Sequence, residues 1–176
     1  MQIEKIYFDM DGVLADFNGG IRRLCGMEPL DQMKSTPRQD DELWEAVKAA
    51  DHFYNRLDPM PGALEMFNAL RERFGDRCEI LSAVPKPRRG ITDAEADKRE
   101  WVSRLISDDV KVNIVQREEK QAFARNRACV LIDDYKKNIR EWEAAGGTGI
   151  LYESALQVIE ELSGYCSDPG LSEKVQ

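Results

Sequence analysis

Residues 6–17 read IYFDMDGVLADF, and the fold is decided by how this stretch is understood. Ile6, Tyr7 and Phe8 are apolar without alternation, the pattern of a strand covered on both faces. The strand runs directly into Asp9, Met10 and Asp11, with Asp16 close behind. Carboxylates two residues apart repel each other and lose hydration when enclosed. A strand that delivers them rigidly to one place therefore calls for a positive group at the same place. Gly12 follows at once and permits a sharp bend where backbone must pass close to a ligand.

Outward from this stretch the chain alternates strand and helix. Further apolar strand candidates are 78–83, 112–116, 128–132 and 148–152, joined to the first at 5–8. Between and after them lie GALEMFNALRERFG (62–75), DAEADKREWVSRLI (93–106), EEKQAFARNR (118–127), KKNIREWEAAG (136–146) and SALQVIEELSG (154–164), all read as helices. In the first of these, Leu64, Phe67, Leu70 and Phe74 recur at helical spacing. Pro61 suits its first turn and Gly75 its end. Thr92 and Glu95 have the spacing of a capping box for the second, and Gly146 and Gly147 stop the helix that starts near Lys136. Continuous apolar strands between amphipathic helices predict an α/β fold with a parallel sheet flanked by helices.

One segment breaks the alternation. Residues 17–61 hold no convincing strand, and DDELWEAVKAADHFYNRL (40–57) reads as a helix with Leu43, Trp44 and Val47 on its apolar side. A helical insertion after the first strand sits over that strand's C-terminal end, so it is a lid candidate. The expected organisation is a core of 1–16 and 62–165, a small helical cap of 17–61 and a tail of 166–176 that frays.

Bulk composition narrows the function classes. The 176 residues carry a formal net charge of -8, which argues against broad attraction to nucleic acid polymers or anionic membrane. No apolar run approaches the roughly 18 residues of a membrane span, and the start lacks the pattern of a secretory signal, so a cytoplasmic protein is expected. Cys25, Cys78, Cys129 and Cys166 have no zinc-knuckle or redox spacing. Cys78 and Cys129 read as small core residues. His52 is the one histidine, which excludes a multi-histidine metal site and leaves Cys25 without an activating partner.

In an open parallel sheet, ligands bind beyond the carboxyl ends of the strands. The first strand delivers Asp9 and Asp11 there, the second Ser82, and the fourth Asp133 and Asp134; Lys120 follows shortly after the third. A hard divalent cation such as Mg²⁺ would offset the crowding, with Asp9 and Asp133 as oxygen ligands. Lys120 supplies a point charge and Ser82 a hydroxyl for phosphate oxygens. Asp9 can attack phosphorus to give an aspartyl-phosphate, and Asp11 can serve as general acid and base. Singly each residue has an ordinary alternative: Asp133 and Asp134 a helix cap, Ser82 a strand-end hydroxyl, Lys120 a solvated charge. Packing alone does not account for the ordered set at successive strand ends.

DMDGVLAD, ILSAVP and VLIDD resemble motifs one, two and four of the haloacid-dehalogenase-like hydrolases. Within them, FDMDGVLADF, PMPGALEMFNAL, DKREWV, REEK and LIDD are similar to the 5'(3')-deoxyribonucleotidases. The resemblance implies a Rossmann-like core with a cap after motif one. It also implies a Mg²⁺-dependent phosphomonoesterase whose metal is held by Asp9, the Asp11 backbone carbonyl and Asp133, with Asp134 supporting. Ser82 and Lys120 would grip the phosphate. Lys120, in REEK, is assigned as the motif-three lysine, and Lys98, in DKREWV, as a second phosphate-facing one. Phe17 falls at a position that packs on a nucleobase, and Trp44, Phe53 and Tyr54 either complete that wall or form the cap's own core. The implied substrate is a small phosphate ester, a nucleoside monophosphate first and a sugar phosphate second. A non-catalytic phosphate or nucleotide sensor is the rival, but none of the essential groups is missing. Asn18, Ala83 and VPKPRRGITDAEA (84–96) depart from the family pattern, which bears on substrate rather than chemistry.

Overall fold

In the computed structural model, residues 2–31 and 34–165 are described, so the tail expected at 166–176 lies outside the described residues. Among them, strands β1 (Lys5–Phe8), β2 (Cys78–Ala83), β3 (Val112–Val115), β4 (Cys129–Asp133) and β5 (Thr148–Leu151) form one parallel sheet in the order β3-β2-β1-β4-β5. The helices are α1 (Phe17–Cys25), α2 (Pro37–Ala49), α3 (Ala63–Phe74), α4 (Ala94–Leu105), α5 (Lys136–Ala144) and α6 (Ala155–Ser163). This is the α/β architecture of a Rossmann-like sheet flanked by helices.

Register sorts the side chains. Ile6 and Phe8 pair with Cys78 and Ile80 on one side and with Val130 and Ile132 on the other. Strand side chains alternate between faces, so these residues share one face. There they join Phe67 and Leu70 of α3, Trp101 and Val102 of α4, and Val158 and Leu162 of α6 in a single core. Tyr7, Leu81, Cys129 and Leu131 take the opposite face and pack with Ile139 and Trp142 of α5 and with Ala124. Both faces are covered, and so the strands need no polar alternation.

Local departures from the sequence reading have physical causes. The helix read over 40–57 begins earlier, at Pro37, with Thr36 and Gln39 making a capping box, and ends at Ala49. Residues Tyr54–Arg56 form a separate 3-10 turn, beyond His52, whose φ of 50° is left-handed and ends helical continuity. EEKQAFARNR is not an α-helix: Arg117–Phe123 is a 3-10 helix whose capping box uses Gln116 and Glu119. The Thr92–Glu95 box does not form, because Asp93 is the N-cap of α4 and makes no capping hydrogen bond.

Helix α1 has no counterpart in the sequence pattern, because Gly19 and Gly20 within it are weak helix formers. Asp16 caps it by accepting from the Gly19 N–H at 2.8 Å. Gly20 permits close approach, since a Cβ there would stand 2.2 Å from Leu57 Cδ2. The ends of segment 17–61 are tied to each other, Asp16 N–H to Asp58 O and Met60 N–H to Leu14 O, both at 2.8 Å.

Candidate active site

The carboxyl ends of β1, β2 and β4 converge because β1 lies between the other two. The ladder continues past β1, with the Asp9 N–H bonded to Ile132 O at 2.9 Å, which aligns Asp9 with the end of β4. Asp9 Oδ1 accepts from the Met10 N–H at 2.8 Å and from Lys120 Nζ at 2.9 Å. Its Oδ2 has no hydrogen bond among the described residues and is the freer oxygen.

Lys120 arrives from the 3-10 helix on the α5 side of the sheet. Its ammonium is buried and also donates to Asp133 Oδ2 at 2.8 Å. Burial by itself would lower its pKa, but the charges of Asp9 and Asp133 outweigh this and hold the ammonium above its ordinary range. Asp133 is fully buried at the end of β4, and burial followed by the charge of Asp9 raises its carboxyl. Asn138 of α5 fastens it, donating to Oδ1 at 3.1 Å and Oδ2 at 2.9 Å, while the Tyr135 N–H donates to Oδ1 at 2.9 Å. Sequence reasoning missed Asn138; an Asn in a helix's first turn, five residues after a strand-end Asp, was the available signal.

The second ammonium comes from the other side of the sheet. Lys98, on α4, is wholly buried. Its Nζ donates to Asp11 Oδ2 at 2.6 Å, Ser82 Oγ at 2.8 Å and Ala83 O at 2.9 Å. The Tyr54 ring covers it, with Nζ 4.6 Å from the centroid, a cation–π contact. Asp11 keeps one buried oxygen, Oδ1, without a hydrogen bond. Burial first, and then the charge of Asp9, raises the Asp11 carboxyl against the opposing pull of Lys98. Ser82 is fully buried at the end of β2. The two lysines thus approach the row of strand ends from opposite faces, each held by a different aspartate of the DMD stretch.

The acidic groups present a donor set for a hard cation. Oxygens of Asp9, Asp133 and Asp134 lie within 4.8 Å of one another. Asp134 is exposed as a residue, yet its carboxyl lies over Gly12, where a Cβ would meet Oδ2 at 2.1 Å. Dehydration there, followed by the charges of Asp9, Asp133 and Asp11, pushes that carboxyl up to about 8. A cluster of carboxylate oxygens alone, with like charges crowded together, fits Mg²⁺, which takes oxygen ligands and keeps waters.

The aromatic residues of segment 17–61 also come together. Phe17 lies 5.4 Å from Phe53, 6.3 Å from Trp44 and 6.3 Å from Tyr54, centroid to centroid. Phe53 and Tyr54 are buried core members, whereas Phe17 and Trp44 are only partly covered. Arg89 stands over the Trp44 ring at 6.0 Å and pairs with Asp41, joining the loop after β2 to α2.

Most of the chain is similar to known proteins. A family model described as "5' nucleotidase, deoxy (Pyrimidine), cytosolic type C protein" matches residues 2–160. A protein of Vibrio phage KVP40, provisionally named a 5'(3')-deoxyribonucleotidase, is 32% identical over 139 residues, which cover 76% of this chain and 67% of that protein. The mitochondrial 5'(3')-deoxyribonucleotidase of Homo sapiens is 25% identical over 146 residues, covering 74% of this chain and 61% of the human one. The provisionally named HAD-hydrolase YfnB of Bacillus subtilis, solved bound to magnesium, superposes with a TM-score of 0.54 at 11% identity. That match covers 92% of this chain and 99% of YfnB. A hydrolase from Pseudomonas syringae gives 0.52 at 18% identity, covering 93% and 99%. At such identities the two solved structures speak to fold alone.

Proposed function

Because the chain belongs to the 5' nucleotidase, deoxy (pyrimidine), cytosolic type C family and is a phosphoric monoester hydrolase, we propose that it releases phosphate from deoxyribonucleoside monophosphates in a Mg²⁺-dependent reaction through an aspartyl-phosphate. The observation that carries the reading is the division of the two buried ammoniums. Lys120 joins Asp9 to Asp133, and Lys98 joins Asp11 to Ser82.

In this reading Asp9 Oδ2 attacks phosphorus, an O–P bond forms, and the bond to the leaving alcohol breaks. Asp11, whose raised carboxyl favours holding a proton, gives that proton to the departing oxygen. Asp11 then takes a proton from the water that attacks phosphorus, and Asp9 is released with inorganic phosphate. Lys120 and Lys98 offset charge on the phosphate oxygens, and Ser82 donates to one of them. Asp9, Asp133, Asp134 and the Asp11 carbonyl would hold Mg²⁺, which when bound supplies Lewis-acid charge neutralisation.

Segment 17–61 is the proposed cap. Ser82 and Lys98 have no exposed surface and Tyr54 covers the Lys98 ammonium, so a phosphate oxygen reaches them only if the cap shifts or Asp11 turns away. Phe17 and Trp44 offer the partly open aromatic surface for a nucleobase, and Phe53 supports them from within. The free thiols of Cys25, Cys78 and Cys129 suit a reducing cytoplasm, and no helix among the described residues is long and apolar enough to cross a membrane.

The test is a substrate survey under Mg²⁺ and under chelator, spanning 5'- and 3'-deoxyribonucleotides, ribonucleotides and sugar phosphates. Selective, chelator-sensitive phosphate release from the deoxyribonucleotides is expected. Preference for sugar phosphates would overturn the substrate, and nucleotide binding without phosphate release would make the protein a sensor.

A further inference from the structure

His52, Asp93 and Asp97 form a second cluster, which shares no residue with the DMD stretch, with ligand-type atoms within 4.8 Å of one another. His52 follows α2 within segment 17–61, while Asp93 caps α4 and Asp97 lies in its first turn. His52 Nδ1 is 2.7 Å from Asp97 Oδ1, so the cluster ties the segment to α4.

The unusual member is Asp97. It is 1% exposed, and its Oδ2 is buried without a hydrogen bond. The neighbouring ammonium of Lys98 does not relieve it, being committed to Asp11, Ser82 and Ala83. Asp97 is thus a buried carboxylate with one oxygen unused, in a cluster whose other members are an imidazole and a second carboxylate, and such a group calls for a further partner.

We propose that His52, Asp93 and Asp97 bind a divalent transition-metal ion of the Zn²⁺ type, which clasps segment 17–61 to α4. One imidazole nitrogen with two carboxylates selects such ions over Mg²⁺, which prefers oxygen alone. A neutral imidazole and two carboxylates balance a dication, and the proton between Nδ1 and Asp97 leaves as the metal enters. Bonds of about 2.1 Å set tetrahedral ligand atoms roughly 3.4 Å apart. Small rotations of the solvent-facing His52 and the half-buried Asp93 bring the cluster to that spacing, and water completes the shell. The site rests on none of the residues assigned to phosphate release, and its metal would act as a structural clasp beside Lys98.

Zn²⁺ is titrated into the native, tag-free 176-residue chain held in saturating Mg²⁺, with bound zinc counted by calorimetry and elemental analysis. The native chain is expected to bind one equivalent more than His52→Asn or Asp93→Asn. His52→Asn suits the left-handed backbone at this position, and Asp93→Asn removes a ligand from the other element, so the two variants report on the site independently. Co²⁺ is expected to give visible absorption bands in the native chain that both variants lose. Equal zinc stoichiometry with unchanged Co²⁺ spectra in the variants overturns the site, whatever the substrate survey shows.

Discussion

Lys98 Nζ and Asp11 Oδ2 stand 2.6 Å apart across 87 positions of sequence. The ammonium is wholly buried and its partner carboxylate only partly so, which makes the lysine the member that cannot be left alone. Lys98→Met strips a hydrogen-bond donor from Asp11, Ser82 and Ala83 together. We expect a loss of about 3 kcal/mol in stability, the lower end for a broken buried pair because Asp11 is partly hydrated. Activity should fall roughly 10²–10³-fold as electrostatic stabilisation is removed. Urea unfolding and steady-state kinetics on the same preparation check both, and wild-type-like turnover would remove Lys98 from the mechanism.

Asp9→Asn keeps an oxygen able to accept from Met10 and Lys120 but loses the proposed nucleophile. Turnover should drop by more than about 10³-fold while the circular dichroism spectrum is retained. Acid quenching of the native enzyme with labelled substrate should trap a phosphorylated protein, and Asp9→Asn should trap none. Retained turnover in the variant would refute the assignment.

Gly12 combines a φ of 78° with a Cβ position 2.1 Å from Asp134 Oδ2. In Gly12→Ala both the backbone and the carboxyl must give way, at a cost of about 1–3 kcal/mol. Because the displaced group belongs to the acidic cluster, Mg²⁺ affinity should weaken roughly 10-fold, an effect of the size seen when groups supporting metal ligands are lost. A magnesium titration of activity, read beside thermal melting, separates the two effects.

Glu79 offers a pH test away from the site. It is 2% exposed and bonded to Lys5, Lys111 and Asn113. Burial would raise its pKa, but these partners outweigh it and hold the carboxyl below its ordinary 4.5. A folded pKa below the unfolded one gives stability that is complete above about pH 4.5 and lost as pH falls through the folded value. Glu79→Gln should cost about 1–2 kcal/mol at pH 7, the exposed Lys111 adding little. Denaturation series at several pH values should show the gap to wild type closing below pH 4.5.

Phe17→Ala decides what the aromatic cluster is for. A nucleobase wall predicts a KM increase on the order of 10-fold with kcat within about 2-fold, as the loss of one stacking contact implies. A purely structural cluster predicts a lower melting temperature with KM unchanged.

Much of this was legible in the sequence, for identifiable reasons. The strands were readable to within a residue or so because burial on both faces leaves continuous apolar runs such as IYF and CVLI. The strand-end aspartates were readable because charge directly after such a run has few structural explanations. Helix α1 was hidden because Gly20 is selected by contact with Leu57, which no local pattern announces. The 3-10 helix carrying Lys120 read as an α-helix because its composition suits one; its Gln116–Glu119 cap and tertiary position shape it instead. Lys98 was seen as an auxiliary lysine, but its links to Asp11, Ser82 and Tyr54 are long-range and invisible to spacing. The meeting of His52 with Asp97 is likewise tertiary, with 45 positions between them.

The central placement of β1 has a consequence for how the chain comes into being. During synthesis Asp9 and Asp11 emerge before β2 and β4, still hydrated, when their mutual repulsion costs little. Dehydration comes only as β2 and β4 close on either side of β1, bringing α4 and the 117–123 helix with them. Lys98 and Lys120 belong to those arriving elements, so burial of the charges is expected to coincide with arrival of their counter-charges. Such sequence-distant pairing forms late, since loop closure precedes any reward. Catalytic competence is therefore an all-or-none reporter of a completed core, and no early folding intermediate should turn over substrate.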